Sequence, residues 1–111
     1  MQPETRAFIG GRYVAARDGR TFESINPANG RRLADVAACD AADVEAAVAS
    51  ARAAFRSGRW SGMAPANRKR VLQKFADLVL ANRDELALLE TLDMGKPISD
   101  CLLYTSDAAD E

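Results

Sequence analysis

The spacing of apolar residues changes near residue 40, from the period of strands to that of helices. Thr21–Ile25 alternates apolar and polar residues, which is typical of a strand with one buried face. Gly10-Gly11 separates two apolar runs and favours a tight hairpin, because both glycines can take a positive φ. The predicted β elements are a hairpin of residues 7–9 and 12–14, a turn at Asp18-Gly19, a strand at Thr21–Ile25, a turn at Asn26–Gly30 and a strand at Leu33–Ala37, with Leu33 and Val36 pointing inward.

The first helix is predicted to begin after Asp40. Asp40 is placed to cap it, and Asp43 lies near the positive end of the helix dipole. Ser57-Gly58 ends the helix. Its apolar face is formed by residues at helical spacing, namely Val44, Val48, Ala51 and Phe55.

A second helical region begins at Pro65, which suits a first helical turn. Asn82 and Asp84 mark a break or a new cap, and Gly95 followed by Pro97 is a stop signal. The predicted buried faces are Val71, Leu72, Phe75, Leu78 and Val79 before the break, and Leu86, Leu89 and Leu92 after it. Because strands come first and no βαβ unit is complete, the order does not describe a self-sufficient parallel sheet. The apolar faces therefore predict packing against strands that this chain does not contain.

Composition and charge limit the classes of protein to which this chain can belong. With 111 residues, 48% hydrophobic and 28% charged, the chain is sized and composed as one small globular domain. A net charge of −1 favours neither a nucleic-acid partner nor a membrane surface, and no apolar stretch is long enough to span a bilayer. The N-terminus lacks the layout of a signal peptide, and two cysteines make no disulfide framework. These features predict a cytoplasmic location.

Catalytic residues are hard to find in this chain. It contains no histidine, so neither a Ser-His-Asp nor a Cys-His arrangement can be built from it. Gly95-Lys96 is not a phosphate loop, because the motif needs glycine where Glu90 stands and Ser or Thr where Pro97 stands. It is interpreted as a glycine helix terminator followed by an exposed lysine. Cys39 precedes a helix N-terminus, which can lower a thiol pKa, but no base accompanies it and we interpret it as inert.

Asp93 is the charge that most needs an explanation. It lies near the end of a leucine-rich helix, where a carboxylate opposes the helix dipole. From the residues alone, two interpretations of Asp93 remain open. It is either a plain exposed aspartate or a carboxylate whose charge is compensated by a nearby positive charge.

Two segments carry a resemblance to a known family. Residues 21–30 read TFESINPANG, and residues 89–98 read LETLDMGKPI. In this order and at this separation they resemble the N-terminal part of the NAD(P)-dependent aldehyde dehydrogenase superfamily, nearest to the betaine-aldehyde and gamma-glutamylaminobutyraldehyde dehydrogenases. The likeness covers about residues 6–99. It implies an α/β fold in which this chain is an incomplete N-terminal portion of a Rossmann-like cofactor-binding domain, made of a β-hairpin, edge strands and two to three amphipathic helices.

The resemblance also implies a function. The full-length parent would be a homo-oligomer that oxidises an aldehyde to a carboxylic acid with NAD or NADP. Its catalytic and nucleotide-binding residues would lie downstream, so none is assigned here and the fragment is expected to be inactive. In the resembling enzymes the aspartate matching Asp93 helps to hold a monovalent cation, potassium or sodium, together with backbone carbonyls of the strand that ends here at Ser24-Ile25. The predicted metal residues are Ser24, Ile25 and Asp93.

The end of the chain reads differently from the rest. Residues 101–111, CLLYTSDAADE, show no helical period and also read as the translation of a transposase sequencing adapter. We therefore expect residues 1–100 to be the dehydrogenase segment, residues 101–111 to be a non-native tail, and Cys101 to have no function. A disordered acidic terminus is the other interpretation. The competing function for the whole chain is a stand-alone, non-catalytic helical module that binds another protein through exposed apolar faces.

Overall fold

The structure is a computed structural model that describes the backbone of residues 3–107 and the side chains of residues 3–103. The elements are four strands followed by four helices: β1 Ala7–Ile9, β2 Arg12–Val14, β3 Thr21–Ile25, β4 Arg32–Ala37, α1 Ala41–Arg56, α2 Pro65–Ala81, α3 Arg83–Met94 and α4 Ile98–Asp107. The strands form two antiparallel pairs, β1 with β2 and β3 with β4. By contacts the chain divides into two compact units, one of residues 1–24 and 34–63 and the other of residues 25–33 and 64–111.

The predicted hairpin is confirmed in the first unit. β1 and β2 pair with Ala7 opposite Val14 and Ile9 opposite Arg12. Gly10 and Gly11 connect the two strands with φ of 63° and 80°. Residues that have a Cβ rarely adopt two successive positive φ angles. Phe8 packs edge-to-face on Tyr13 with ring centroids 5.1 Å apart, a preferred geometry for aromatic pairs.

Asp43 ties α1 to the segment that follows the hairpin. Asp40 caps the helix through Ala42 N and Asp43 N, and the Asp43 carboxylate accepts from Asp40 N at 3.1 Å, which completes a capping box. The same carboxylate also accepts from Arg17 N at 3.1 and 3.3 Å. Asp43 is only 7% exposed. Burial of this charge is tolerated because backbone donors and the helix N-terminus surround it.

The apolar face predicted for α1 is not the face that lies against the hairpin. The buried or half-buried side of the helix near β1 carries small and polar residues, Asp43, Ala47 and Ser50. Val44, Val48 and Phe55 are exposed, Phe55 by 76%. Small residues allow the helix to approach the strand backbone closely, and Ser50 Oγ would lie 3.7 Å from a Cβ at Gly10.

Helices dominate the second unit. Pro65 stands at the start of α2 as predicted, and Asn82 ends α2 and begins α3. Of the apolar face predicted for α2, Val79 is half-buried and Val71, Leu72, Phe75 and Leu78 are exposed. The face is thus not covered among the described residues, as expected if its partner strands are not in this chain. In α3 the stripe is partly confirmed: Leu89 and Leu92 are half-buried, whereas Leu86 stays 42% exposed.

The most evident difference from the sequence prediction is α4. Residues 101–107 were expected to lack a helical period, yet α4 runs through Asp107 and packs on α3. Cys101 is fully buried there, 3.5 Å from Thr91 Oγ1. A short helix with apolar residues at its start can cover the neighbouring α3, which the sequence pattern alone did not indicate. Residues 108–111 of the expected tail lie outside the described residues.

Replacing Asp43 by alanine should destabilise the first unit. Two backbone N–H groups would lose their acceptor, and a buried donor without a partner costs about 1–3 kcal/mol. We expect a lower urea midpoint by circular dichroism and faster amide exchange at Arg17. Glu45→Ala, which removes an exposed carboxylate from the same helix, is the control. Equal Arg17 exchange in both variants would contradict this role.

Candidate functional site

The candidate site is the cation site predicted from Ser24, Ile25 and Asp93. Ser24 and Ile25 end β3, where Ser24 is half-buried and Ile25 is 42% exposed. Asp93 is exposed in the last turn of α3. Ile25 and Asp93 belong to the second compact unit and Ser24 to the first. The structure thus places two of the three predicted residues in one unit.

The turn after Ile25 is fixed by its own hydrogen bonds. Asn26 is 8% exposed, and its side-chain Oδ1 accepts from Ala28 N at 2.9 Å. Its backbone N–H donates to Arg31 O at 2.9 Å, and its carbonyl accepts from Gly30 N at 2.8 Å. An asparagine that bonds to the backbone two residues later is a recognised turn device, and Pro27 pre-sets the φ of the next position. The path of the backbone that leaves β3 is therefore closely specified.

The end of α3 lies against this turn. Gly95 takes φ of 77° and closes the helix through its N–H to Thr91 O at 3.0 Å, as the sequence predicted for a left-handed glycine cap. A Cβ at Gly95 would come within 2.9 Å of Pro27 Cγ. Ile25 is two residues before Pro27, and Asp93 is two residues before Gly95. This close approach places the glycine that ends α3 against the turn that follows Ile25.

Charge at this helix end differs from the prediction in one respect. α3 has no basic residue in its last turn, so the Asp93 carboxylate does oppose the helix dipole. Lys96, however, is half-buried rather than exposed, and its Nζ lies 3.5 Å from Glu90 Oε1. The protein itself thus supplies one positive charge close to the helix end.

No other metal-binding cluster is seen in the part of the chain that the structure describes. No group of three or more His, Cys, Asp or Glu residues there could hold a metal ion. Cys39 is exposed, and its pKa is raised above the ordinary thiol value, first by partial desolvation and then by Asp43, Asp40 and Asp18. The raised pKa leaves the Cys39 thiol less ionised than an ordinary thiol. Within residues 3–107, no helix is both long and apolar enough to cross a membrane.

Comparison with known proteins identifies the class. The profile described as "Aldehyde dehydrogenase family" matches residues 13–111. The chain therefore belongs to the aldehyde dehydrogenase family, a family of oxidoreductases that use NAD(P)+. The resemblance stated from the sequence is confirmed, since gamma-glutamyl-gamma-aminobutyraldehyde and betaine aldehyde dehydrogenases are among the solved relatives.

Individual relatives are similar over nearly the whole chain but are much longer. Aminoacetaldehyde dehydrogenase of Pseudomonas aeruginosa is 56% identical over 96 residues, which are 86% of this chain and 19% of the relative. An indole-3-acetaldehyde dehydrogenase solved with NAD+ is 57% identical with a TM-score of 0.94, over 98% of this chain and 22% of its own. The gamma-glutamyl-gamma-aminobutyraldehyde dehydrogenase of Burkholderia cenocepacia is 50% identical with a TM-score of 0.95, over 99% of this chain and 22% of its own. The chain thus spans about a fifth of the length of these proteins.

Replacing Gly95 by alanine should disturb the junction of α3 with the turn. A residue with a Cβ pays roughly 1–2 kcal/mol in the left-handed region, and here the added Cβ also meets the Pro27 ring. Gly30→Ala is the matched control, because Gly30 also has a positive φ of 69° but nothing within 4 Å of its Cβ. We expect Gly95→Ala to lower the thermal midpoint more than Gly30→Ala. Equal thermal midpoints for the two variants would mean that the close approach of Gly95 to Pro27 does not affect stability.

Proposed function

We propose that this chain is the N-terminal part of an NAD(P)+-dependent aldehyde dehydrogenase, and that the complete protein oxidises an aldehyde to a carboxylic acid. The carrying observation is the family match over residues 13–111 in a chain that spans 19% of its P. aeruginosa relative. The NAD+ bound in a solved relative that is 57% identical supports NAD(P)+ as hydride acceptor. We also propose that the parent is a cytoplasmic homo-oligomer.

The chemistry supports placing the reaction centre outside this chain. Aldehyde oxidation of this kind needs a thiolate nucleophile, a donor to the developing oxyanion, a base and a hydride acceptor. Cys39 has a raised pKa and three carboxylates around it, and Cys101 is fully buried. Neither thiol is suited to attack a carbonyl. We therefore assign no catalytic or cofactor-binding residue here, and we expect the chain alone to be inactive towards aldehydes.

A second candidate function has one observation in its favour. The exposed apolar residues of α1 and α2 would suit a non-catalytic module that binds another protein. The two candidate functions predict different coding sequences after codon 100. A dehydrogenase requires an open reading frame that continues past codon 100, whereas a self-contained module requires its own stop codon.

Sequencing the source locus past codon 100 tests the proposed function. We expect a continuing frame that encodes the remaining four-fifths of a dehydrogenase, including a cysteine and a glutamate for catalysis. We also expect residues 101–111 to be replaced by other codons, because the string matches an adapter translation. A stop codon directly after codon 111 in the genome would contradict both the truncated dehydrogenase and the non-native tail.

We further propose that Ser24, Ile25 and Asp93 contribute to a monovalent cation site in the complete enzyme. Support comes from the carboxylate at the negative end of α3 and from the approach of Gly95 to Pro27. Backbone carbonyl and carboxylate oxygens are hard ligands that suit a hard cation such as K+ or Na+. A cation at this position would stabilise the junction without taking part in the reaction.

Replacing Asp93 by alanine in the complete enzyme should weaken its stabilisation by salt. The wild type should melt at a higher temperature in KCl or NaCl than in tetramethylammonium chloride of equal ionic strength, and the variant should lose that difference. The rate of the chemical step should stay within about twofold, because Asp93 does not touch the reacting atoms in this proposal. Asp77→Ala, which removes an exposed carboxylate from α2, is the control. The same salt response in wild type and Asp93→Ala would leave Asp93 as a surface charge only.

A further inference from the structure

The turn that follows β3 carries a reactive pair of residues that the proposed function does not use. Asn29 is followed by Gly30, whereas Asn67 and Asn82 are each followed by arginine. Because glycine has no Cβ, its backbone nitrogen is open to the asparagine side chain before it. In such a pair the glycine nitrogen can attack the asparagine Cγ and close a five-membered succinimide ring. Asn29 is exposed, so water and hydroxide reach it.

The side-chain carbonyl of Asn29 is arranged as the electrophile of that reaction. Its Oδ1 accepts from Arg31 N at 2.9 Å. Attack on Cγ moves negative charge onto Oδ1, and a backbone N–H that is already within hydrogen-bond distance stabilises this charge, as the donors of an oxyanion hole do. The same hydrogen bond folds the side chain back along the main chain towards Gly30, which lies between Asn29 and Arg31.

The nucleophile of the pair is restrained by the turn. Gly30 N donates to Asn26 O at 2.8 Å, and Asn26 N donates to Arg31 O at 2.9 Å. The first of these bonds occupies the proton that must leave before the nitrogen attacks. Asn26 is itself held by its side chain, whose Oδ1 accepts from Ala28 N at 2.9 Å. Attack therefore requires the turn to open, and its rate in the folded protein follows the fraction of molecules in which the turn is open.

Asp18-Gly19 is a second turn of the same kind with a different side chain. Gly19 N donates to Ala16 O at 2.8 Å, and Asp18 Oδ1 accepts from Arg20 N at 3.0 Å. Hydrogen bonds from the backbone and then the side chain of Arg20 hold the pKa of Asp18 below its ordinary value. An ionised carboxylate is a poor electrophile because it already carries negative charge. Comparison of the two turns thus separates the effect of the amide from that of the turn geometry.

We propose that Asn29 is a site of spontaneous deamidation, and that the hydrogen bond from Gly30 N to Asn26 O controls its rate. The Gly30 nitrogen loses its proton to hydroxide and bonds to Asn29 Cγ. The Cγ–Nδ2 bond breaks, and Nδ2 takes up a proton from water and leaves as ammonia. Water then opens the succinimide at either carbonyl and gives aspartate or isoaspartate at position 29. Both products place a carboxylate in the turn that lies against Gly95.

The test incubates the 111-residue chain at mildly alkaline pH beside a synthetic peptide of residues 21–33. Trypsin releases residues 21–31 from both samples. Mass spectrometry of this fragment measures conversion of the Asn29 amide to an acid, and chromatography separates aspartate from isoaspartate. We expect both products in both samples. The chain should react about fivefold more slowly than the peptide or slower still, since one net hydrogen bond shifts an equilibrium by about this factor.

A substitution at Asn26 tests the control by the turn. Asn26→Ala removes the acceptor of Ala28 N and should make the chain deamidate about fivefold faster than the wild type. Asn67→Ala is the matched control, because it removes an exposed asparagine side chain from α2; it should leave the rate at Asn29 unchanged. Circular dichroism should show equal helix content in both variants, which separates local opening of the turn from unfolding of the chain.

Unfolding by urea gives a measurement that does not depend on any variant. The wild-type chain, once unfolded, should deamidate at Asn29 as fast as the peptide in the same urea. Conversion confined to the peptide and the unfolded chain would overturn Asn29 as a modification site of the folded protein. Equal rates in the folded chain and the peptide would overturn the control by the turn, as would equal rates in the wild type and a folded Asn26→Ala chain. Isoaspartate forming at Asp18 as fast as at Asn29 would overturn the role of the amide.

Discussion

Uncovered apolar helix faces are the constraint on which the rest of this structure depends. α1 and α2 are the longest elements, and large apolar side chains on both remain exposed among the described residues. Burial of apolar surface is the main favourable term in folding, so α1 and α2 lack, among the described residues, much of the packing that stabilises helices in proteins. A chain that spans about a fifth of its relatives' length is expected to leave such faces open.

Local interactions are correspondingly well formed. The capping box of Asp40 and Asp43 satisfies the first donors of α1, and the Asp43 carboxylate reaches beyond its own helix to Arg17 N. Gly95 closes α3 in the left-handed conformation. Each device satisfies backbone groups that would otherwise lack partners at a helix end. Together these interactions fix the hairpin and the helix ends, while the apolar faces of the helices stay available for packing.

The junction at Asn26–Pro27 and Gly95 connects the fold with the candidate site. The turn is fixed by hydrogen bonds of Asn26, and the absence of a side chain at Gly95 lets α3 end against the Pro27 ring. A Cβ at Gly95 would come within 2.9 Å of the Pro27 ring, so a larger residue there would push the helix end away from the turn. The two sequence segments that carried the family resemblance are those that meet here, so their joint occurrence has a packing reason.

The sequence by itself determined the elements whose cause is local. These are the Gly10-Gly11 hairpin, the Asn26–Gly30 turn, the Asp40 cap, the Pro65 helix start and the Gly95 stop, because φ preferences and caps act within a few residues. The family also followed from short segments. The tertiary structure alone decided which faces are covered: a periodic stripe shows that a helix has an apolar side, but not whether this chain supplies its cover. It also decided that Asp43 accepts from a residue 26 positions away, that Lys96 is half-buried and that α4 packs on α3, since such contacts depend on the path of the whole chain and not on local pattern.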